Sequence, residues 1–452
     1  MNPRPLPNSL VSGTYRLDAA GAIDASAKPI SIAPASLILE VEPGRIRVVA
    51  ADAPAAIDGH PAAAKATVIS MPDHLLTPAL VNSHTHLDLT HIGPKPHSSF
   101  AAFVDLVRSA RHVDAAAIRE SLLLGARLSR AGGVGAVGDI AGAVRGGASI
   151  EPYLALRDSE LAGVSFLEFF AMGDSVSRAL ARVDEVTDAA TAMPASKIRF
   201  GLQPHAPYSV ACVGYRHALA RAARDRLPIA THLAESTEEH AFISEARGPQ
   251  RSLLEGLGLW NDSLLAEYGL GKTPVAHLAG ALRERSTPIL LVHLNDLSDA
   301  DVELLAELNT HVPIHVAYCP RASEFFGAPM TFGPHRYREL IAAGINVCLG
   351  TDSIVNLPES DAAGAHARIS PVDDARLLAR RDNTDAALLL NMMTAGGAVA
   401  LGLDANAFSL APGSNVGGVC TWKIPADVGP RATSGELWKR VLASEILPTR
   451  LI

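Results

Sequence analysis

Two hydrophobic rhythms divide the chain. From Leu10 to about Val68, short β-branched runs such as Ser36–Leu39 and Arg45–Val49 alternate with Gly, Pro and Asp turns. That rhythm predicts a small β region in which helices are not expected. From about His74 onward, near-continuous apolar runs are each followed by a longer amphipathic stretch. Eight such runs stand out: Leu75–His84, Gly133–Asp139, Val164–Phe170, Ile198–His205, Ile229–Ala234, Ile289–Leu294, Val312–Cys319 and Ile345–Asp352. Helical periodicity fills most of the intervals, as in Asp114–Ala131, Ser177–Thr191, Val210–Arg226, Ser298–Leu308 and Pro334–Ala343. Strands without polar alternation suit a parallel sheet covered by helices.

Repeated β–α units over roughly 270 residues predict a (β/α)8 barrel. A doubly wound open sheet is the competing architecture. It carries a Gly-rich phosphate loop after its first strand, and here that place holds Ser83-His-Thr-His86. After the helical stretch Asn383–Leu401, the segment Ala411–Trp422 returns to turns and short strands. The expectation is therefore an α/β chain with a TIM-like barrel over 70–404. Residues 1–69 and 405–452 are expected to join as a small β-sandwich domain built from both chain ends.

Composition narrows the function classes. The chain has 452 residues, enough for a large core, and 48% hydrophobic against 19% charged residues excludes an intrinsically disordered chain. A net charge of −8 speaks against a nucleic-acid binder working through a basic patch, and against anionic membrane surfaces. Cys212, Cys319, Cys348 and Cys420 lie far apart with no C-x-x-C spacing, which argues against a zinc cluster or a disulfide framework. The N-terminal residues lack the apolar core of a signal peptide, and no run reaches membrane-spanning length. These signs point to a soluble, cytoplasmic protein.

The histidines say more. There are 17, and His60, His112, His217, His240 and His366 are ordinary by position. Others fall where predicted strands end: His84 and His86 on the first, His205 on the fourth, His232 on the fifth and His293 on the sixth. Asp352 ends the eighth. In a barrel those ends converge on one face, where active sites form. His-x-His on a strand points both rings to the same side. Two such rings, a third His and an Asp, with one position left for water, make a catalytic metal set.

The run Leu76-Thr-Pro-Ala-Leu-Val-Asn-Ser-His-Thr-His-Leu87 resembles the first-strand signature of the metal-dependent amidohydrolase superfamily. Gln203-Pro-His-Ala-Pro-Tyr-Ser209, Thr231-His-Leu-Ala-Glu235, Val292-His293, Cys319-Pro-Arg321 and Leu349-Gly-Thr-Asp-Ser353 follow in order. Together they resemble the cytosine-deaminase-like aminohydrolase/chlorohydrolase branch, which includes deaminases of S-adenosylhomocysteine, aminodeoxyfutalosine and guanine. The ending Ala411-Pro-Gly-Ser-Asn-Val-Gly-Gly departs from that branch's glycine-lysine-x-alanine-aspartate pattern.

The resemblance implies one divalent metal held by His84, His86, His232 and Asp352. Zinc is the first expectation, with iron(II) or manganese as alternatives. Binuclear relatives carry a carboxylated lysine at the end of the fourth strand, where this chain has His205. It also implies that Asp352 takes the proton of the attacking water, that Glu235 protonates a ring nitrogen of the substrate, and that His293 hydrogen-bonds the oxygen. By sequence alone Glu238 and Glu239 compete with Glu235, although their spacing suits the solvated face of a following helix. His205, Arg321 and Ser353 are expected to touch the substrate. Glu324 is a further specificity candidate and Cys319 is read as structural. His91 and His97 fall in a loop at the pocket rim, and the long interval Glu235–Pro288, with Trp260 and Tyr268, caps the pocket.

The expected activity is hydrolytic release of ammonia from an amino-substituted nitrogen heterocycle, in the first place an adenine-type nucleoside. Dechlorination or cyclic-amide hydrolysis at the same site is the alternative. A catalytically silent barrel serving as an interaction protein is the reading from another class. The expected partner is a small heterocyclic molecule, with no nucleic acid and no membrane, and the family expectation is a homodimer.

Overall fold

A computed structural model describes residues 10–144, 147–362, 364–429 and 431–451. The chain forms two compact units, one made of residues 1–82, 128–136 and 365–452, the other of residues 83–127 and 137–364.

In the first unit, both chain ends build one seven-stranded sheet. Its long central strand, Gly13–Ile23, pairs antiparallel with Ala35–Glu42 and parallel with Thr67–Pro78. Val419–Lys423, from the far end of the chain, adds antiparallel to Thr67–Pro78. Alternating positions such as Leu17, Leu37, Leu39, Leu76 and Val419 fill a buried cluster on one side, as period-two patterning requires. Trp422 is fully buried and donates its indole N–H to Thr77 Oγ1 at 2.8 Å. Helices do occur in the N-terminal stretch, contrary to the sequence expectation. Pro54–Asp58 forms a short α-helix and Ala63–Lys65 a single 3₁₀ turn. Pro54 at the first helical position presets the backbone for that turn.

Eight parallel strands carry the rest of the architecture: β1 (Leu80–His86), β2 (Val134–Ala141), β3 (Ala162–Phe169), β4 (Ile198–Pro204), β5 (Ala230–Leu233), β6 (Ile289–His293), β7 (Ile314–Tyr318) and β8 (Asn346–Leu349). One sheet runs β4-β3-β2-β1 and ends on the short pair Asp352–Ser353; the other runs β5-β6-β7-β8. A parallel bridge between Leu202 and Ile229 connects β4 to the residue before β5. At the other end, Gly350 N donates to Tyr318 O at 2.9 Å and Thr351 N to His84 O at 3.0 Å.

The first predicted strand was one apolar run in sequence, Leu75–His84, but it serves two sheets. Thr67–Pro78 belongs to the terminal sheet and β1 starts at Leu80. Pro78 has no N–H to continue a ladder, so the run changes partner there. A helix at Phe100–Ala110 was not among the helical stretches read from the sequence. Gly163 sits at φ +132° against β2, where a Cβ would come within 2.0 Å of Val137 O, so no other residue fits that crossing. Among the described residues, no helix is long and apolar enough to cross a membrane.

Candidate active site

The C-terminal ends of the parallel strands gather the predicted residues. His84 and His86 leave β1 on one side, as the i, i+2 rule demands, with ring centroids 5.1 Å apart. His232 at the end of β5 lies 5.0 Å from the His84 ring and stacks on His293 at 5.4 Å. His84 Nε2 is 3.6 Å and His86 Nε2 3.4 Å from Asp352 Oδ1. Four sets at this site have ligand atoms all within 4.8 Å of one another: His84, His232 and His293; His84, His86 and Asp352; Glu235, His293 and Asp352; and Glu168, His205 and His232.

Several local devices aim these groups. His232 Nδ1 donates to His205 O at 3.1 Å, which leaves Nε2 as the free lone pair. Ser83 Oγ donates to Leu349 O at 2.8 Å, tying β1 to β8 beside His84. Asp139 accepts from Leu87 N at 2.8 Å just beyond His86. The chain bends into left-handed backbone at Ala234 (φ 54°), His293 (φ 76°), Leu294 (φ 55°) and Asp352 (φ 57°). Such non-glycine conformations cost energy and persist where the surrounding structure imposes them, typically at functional sites.

Glu235 also belongs here. Its oxygen lies 3.4 Å from His293 Nε2. Its backbone is held from both directions: Glu239 accepts Glu235 N at 2.8 Å and Ala234 N at 3.1 Å, while Asn295 Nδ2 donates to Glu235 O at 3.1 Å. Glu239 is fully buried, not on a solvated face as the spacing suggested. It supports Glu235 instead of replacing it.

The electrostatics are those of a cation site. Burial pulls His86 down to about 4 and His293 to about 3, and with the neighbouring rings holds His232 well below its ordinary value. Burial pushes Asp352 up, but the imidazoles of His84, His86 and His293 outweigh it and keep the carboxyl below its usual range. Neutral imidazoles beside an ionised carboxylate are the protonation state that metal binding needs. Both ring nitrogens of His84 and Nδ1 of His86 are buried without a hydrogen-bond partner. Buried polar atoms are normally satisfied, so a nitrogen on each ring is left available to a ligand. Glu235 behaves oppositely: burial, then Asp352 and Glu239, raise it well above the ordinary carboxylate value.

The cluster opens into a cavity of about 1030 Å³. His205 and Ser353 line it, as expected, together with His86, His232, Glu235 and Asp352. Arg321 does not line it; its guanidinium pairs with Asp361 at 2.9 Å. His91 bonds Ser121 and Ala110 O, and His97 packs on Phe325 and Phe326; neither lines this cavity. From the long interval after Glu235, the helix Pro249–Gly256 and the residues after it bring Leu253, Leu254, Leu257 and Leu259 to the wall. Trp260 and Tyr268 pack on Phe242 instead.

Sequence reasoning passed over Glu168, Arg111 and Asp88. Glu168 and Arg111 line the cavity, and Arg111 reaches both carboxylates. Nothing in the local pattern marks them, because Glu168 ends an apolar strand and Arg111 follows an amphipathic helix. A separate cluster, Cys212, Glu267 and His277, lies off the cavity. Burial and Glu267 push the Cys212 thiol up to about 11, so it stays protonated and faces His277 Nε2 at 3.6 Å as a weak donor.

Parallel strands joined through helices, and a His-x-His, His, His and Asp constellation at their C-terminal ends, define a metal-dependent hydrolase class. The Amidohydrolase family profile matches residues 75–415, and the chain belongs to that family. It is 27% identical over 297 residues to an aminodeoxyfutalosine deaminase of Deinococcus radiodurans, covering 62% of this chain and 64% of that relative. The chain therefore spans just under two thirds of that relative's length.

Among solved structures, Helicobacter pylori aminofutalosine deaminase in complex with methylthio-coformycin matches with a TM-score of 0.71 at 18% identity, covering 96% of this chain and 97% of that one. A mutant atrazine chlorohydrolase from Arthrobacter aurescens, complexed with zinc and atraton, matches with a TM-score of 0.68 at 18% identity, covering 96% and 91%. At that identity the likeness is one of fold, a TIM-barrel-type α/β fold.

Proposed function

We propose that this protein is a mononuclear metal-dependent hydrolase that releases ammonia from an amino-substituted nitrogen heterocycle, in the first place an adenine-type nucleoside. The observation that carries the reading is the convergence of His84, His86, His232, His293, Asp352 and Glu235 in one cluster, all but His84 lining the cavity. His84, His86, His232 and Asp352 are the proposed ligands of one divalent metal, with zinc first and iron(II) or manganese as alternatives. The bound ion supplies the acidity that turns water into a nucleophile at neutral pH.

The side chains do the rest. Asp352, ionised, accepts the water's proton and returns it to the departing amine. Glu235 stays protonated and donates to the ring nitrogen, which makes the amine-bearing carbon electrophilic. His293 hydrogen-bonds the oxygen as it becomes negative. His205 and Ser353 face the substrate; Arg321, paired with Asp361, is not among the residues that line the cavity. The same reading closes β1 to β8 into one barrel within 70–404, through the Leu202–Ile229 bridge and the Gly350 and Thr351 hydrogen bonds. It assigns 1–69 and 405–452 to a β-sandwich domain, and it places the enzyme in the cytoplasm, where four free cysteines are stable.

The test is ammonia release by zinc-loaded protein from adenine nucleosides, guanine, pterins, cytosine and triazines. Asp352→Asn should abolish release, and Glu235→Gln should lower turnover by roughly 100-fold or more. Substantial ammonia from the Asp352→Asn protein would overturn the mechanism. The fold shared with a chlorohydrolase sustains a second reading, dechlorination at the same site, and measuring chloride alongside ammonia separates the two.

A further inference from the structure

Glu168 is a buried acid of the cavity wall that the reaction does not use. It is the second-last residue of β3, 2% exposed, and pairs in register with Gln203 of β4. Arg111 NH1 donates to its Oε2 at 2.8 Å. The same guanidinium reaches Asp88 Oδ2 at 3.0 Å, so one cation is braced between two acids. Burial works to raise Glu168, but Arg111 and the nearby imidazoles outweigh it and hold the carboxyl down to about 2.

Its second oxygen is left over. Oε1 lies 3.8 Å from His205 Nε2, beyond hydrogen-bond length. Glu168 nevertheless lines the cavity, beside His205 and His86. A carboxylate without a second donor in a mainly apolar wall favours a ligand that brings one. The position is also informative. The His205 ring is 5.1 Å from that of His232, and a Glu168 oxygen, a His205 nitrogen and a His232 nitrogen all lie within 4.8 Å of one another, so Glu168 stands at the edge of the histidine cluster. A heterocycle reacting over His232 and Asp352 would carry its substituent into that place.

We infer that Glu168, braced by Arg111, is the substrate-positioning residue that accepts hydrogen bonds from the ribose hydroxyls of a nucleoside whose base is deaminated over the histidine cluster. The inference rests on the nucleoside reading above. Arg111 keeps the acid ionised and fixes its rotamer, so that Oε1 faces the sugar. An acceptor-only group selects hydroxyl donors and disfavours a sugar lacking them.

The test compares ammonia release from 5′-deoxyadenosine and from its 2′-deoxy and 3′-deoxy analogues. In the wild-type protein, loss of a contacting hydroxyl should lower kcat/KM by roughly 10- to 100-fold. Glu168→Gln should lower kcat/KM for the full diol by a similar factor, mainly through KM. In that variant the penalty for the deoxy analogues should shrink to a few fold. Glu168→Asp, which keeps the charge but withdraws it by one methylene, should fall between, and metal content equal to wild type verifies that both variants fold. An unchanged deoxy penalty in Glu168→Gln would overturn the assignment while leaving the deaminase reading intact. No ammonia from any nucleoside with wild-type protein, but release from another heterocycle, would overturn the nucleoside reading and this one with it.

Discussion

Glu235 owes its position to neighbours that no local period connects with it. Glu239 accepts two consecutive backbone N–H groups around it, and Asn295 binds its carbonyl. Burial pushes Glu239 up to about 7, against the pull of the N–H groups it accepts. A carboxyl raised in the folded state stabilises the protein fully below its unfolded value, near 4.5, and loses that contribution as pH rises to about 7. Glu239→Gln removes the titration. Its thermal midpoint, measured against wild type, should therefore improve by the equivalent of a few kcal/mol between pH 4.5 and 7.5. A midpoint difference independent of pH would show that Glu239 is not the titrating group.

Gly350 illustrates a second residue-scale constraint. A Cβ there would meet His84 Cβ at 2.8 Å, Cys319 Sγ at 2.9 Å and His84 O at 3.0 Å. Two of these contacts are parts of His84 that cannot swing aside. Gly350→Ala should displace the His84 ring, lower the metal content and reduce turnover by roughly 100-fold. Metal analysis and an ammonia assay on the same preparation decide it; full metal and full activity would rule the clash out.

At the scale of elements, the eight parallel strands were legible because each is buried on both faces and so reads as an unbroken apolar run. Strand ends were legible to within a few residues, which placed five histidines and Asp352 on one face. The change of sheet at Pro78 was not, since Leu75 and Leu80 look alike to any window. The helix Phe100–Ala110 and the fully buried Glu239 were also missed, because they depend on what packs against them. The terminal unit offers a control. Thr433 caps the helix Ser434–Leu442 through a reciprocal capping box with Glu436, and Trp438 of that helix donates to Ala386 O at 2.8 Å. Thr433→Ala should cost about 1 kcal/mol of stability with kcat unchanged. Denaturant unfolding measures the first and steady-state kinetics the second; a fall in kcat would mean that this helix influences the chemistry.

Among the described residues, His84 and His86 carry three buried ring nitrogens without a hydrogen-bond partner beside Asp352. An ion that binds only the folded state stabilises it by about 2.7 kcal/mol when present at a hundred times its dissociation constant. Chelation should thus lower the thermal midpoint, and stoichiometric zinc should restore both midpoint and activity. A midpoint indifferent to chelator and zinc would contradict the assignment of the cluster as a metal site.

Sequence by itself determined the alternation of apolar strands and amphipathic helices, the order of the motifs and the residues competent to ligate a metal. All of these are local properties: side-chain periodicity, turn chemistry and the identity of titratable groups at strand ends. Tertiary structure alone decided which acids matter. Glu235, Glu238 and Glu239 are equivalent in sequence, but only folding makes Glu235 a cavity group and Glu239 its support. Glu168 and Arg111 are 57 residues apart in sequence, and only folding brings the end of the helix Phe100–Ala110 against β3. Charge, burial and distance set the role of an acid, and those three are properties of the folded chain.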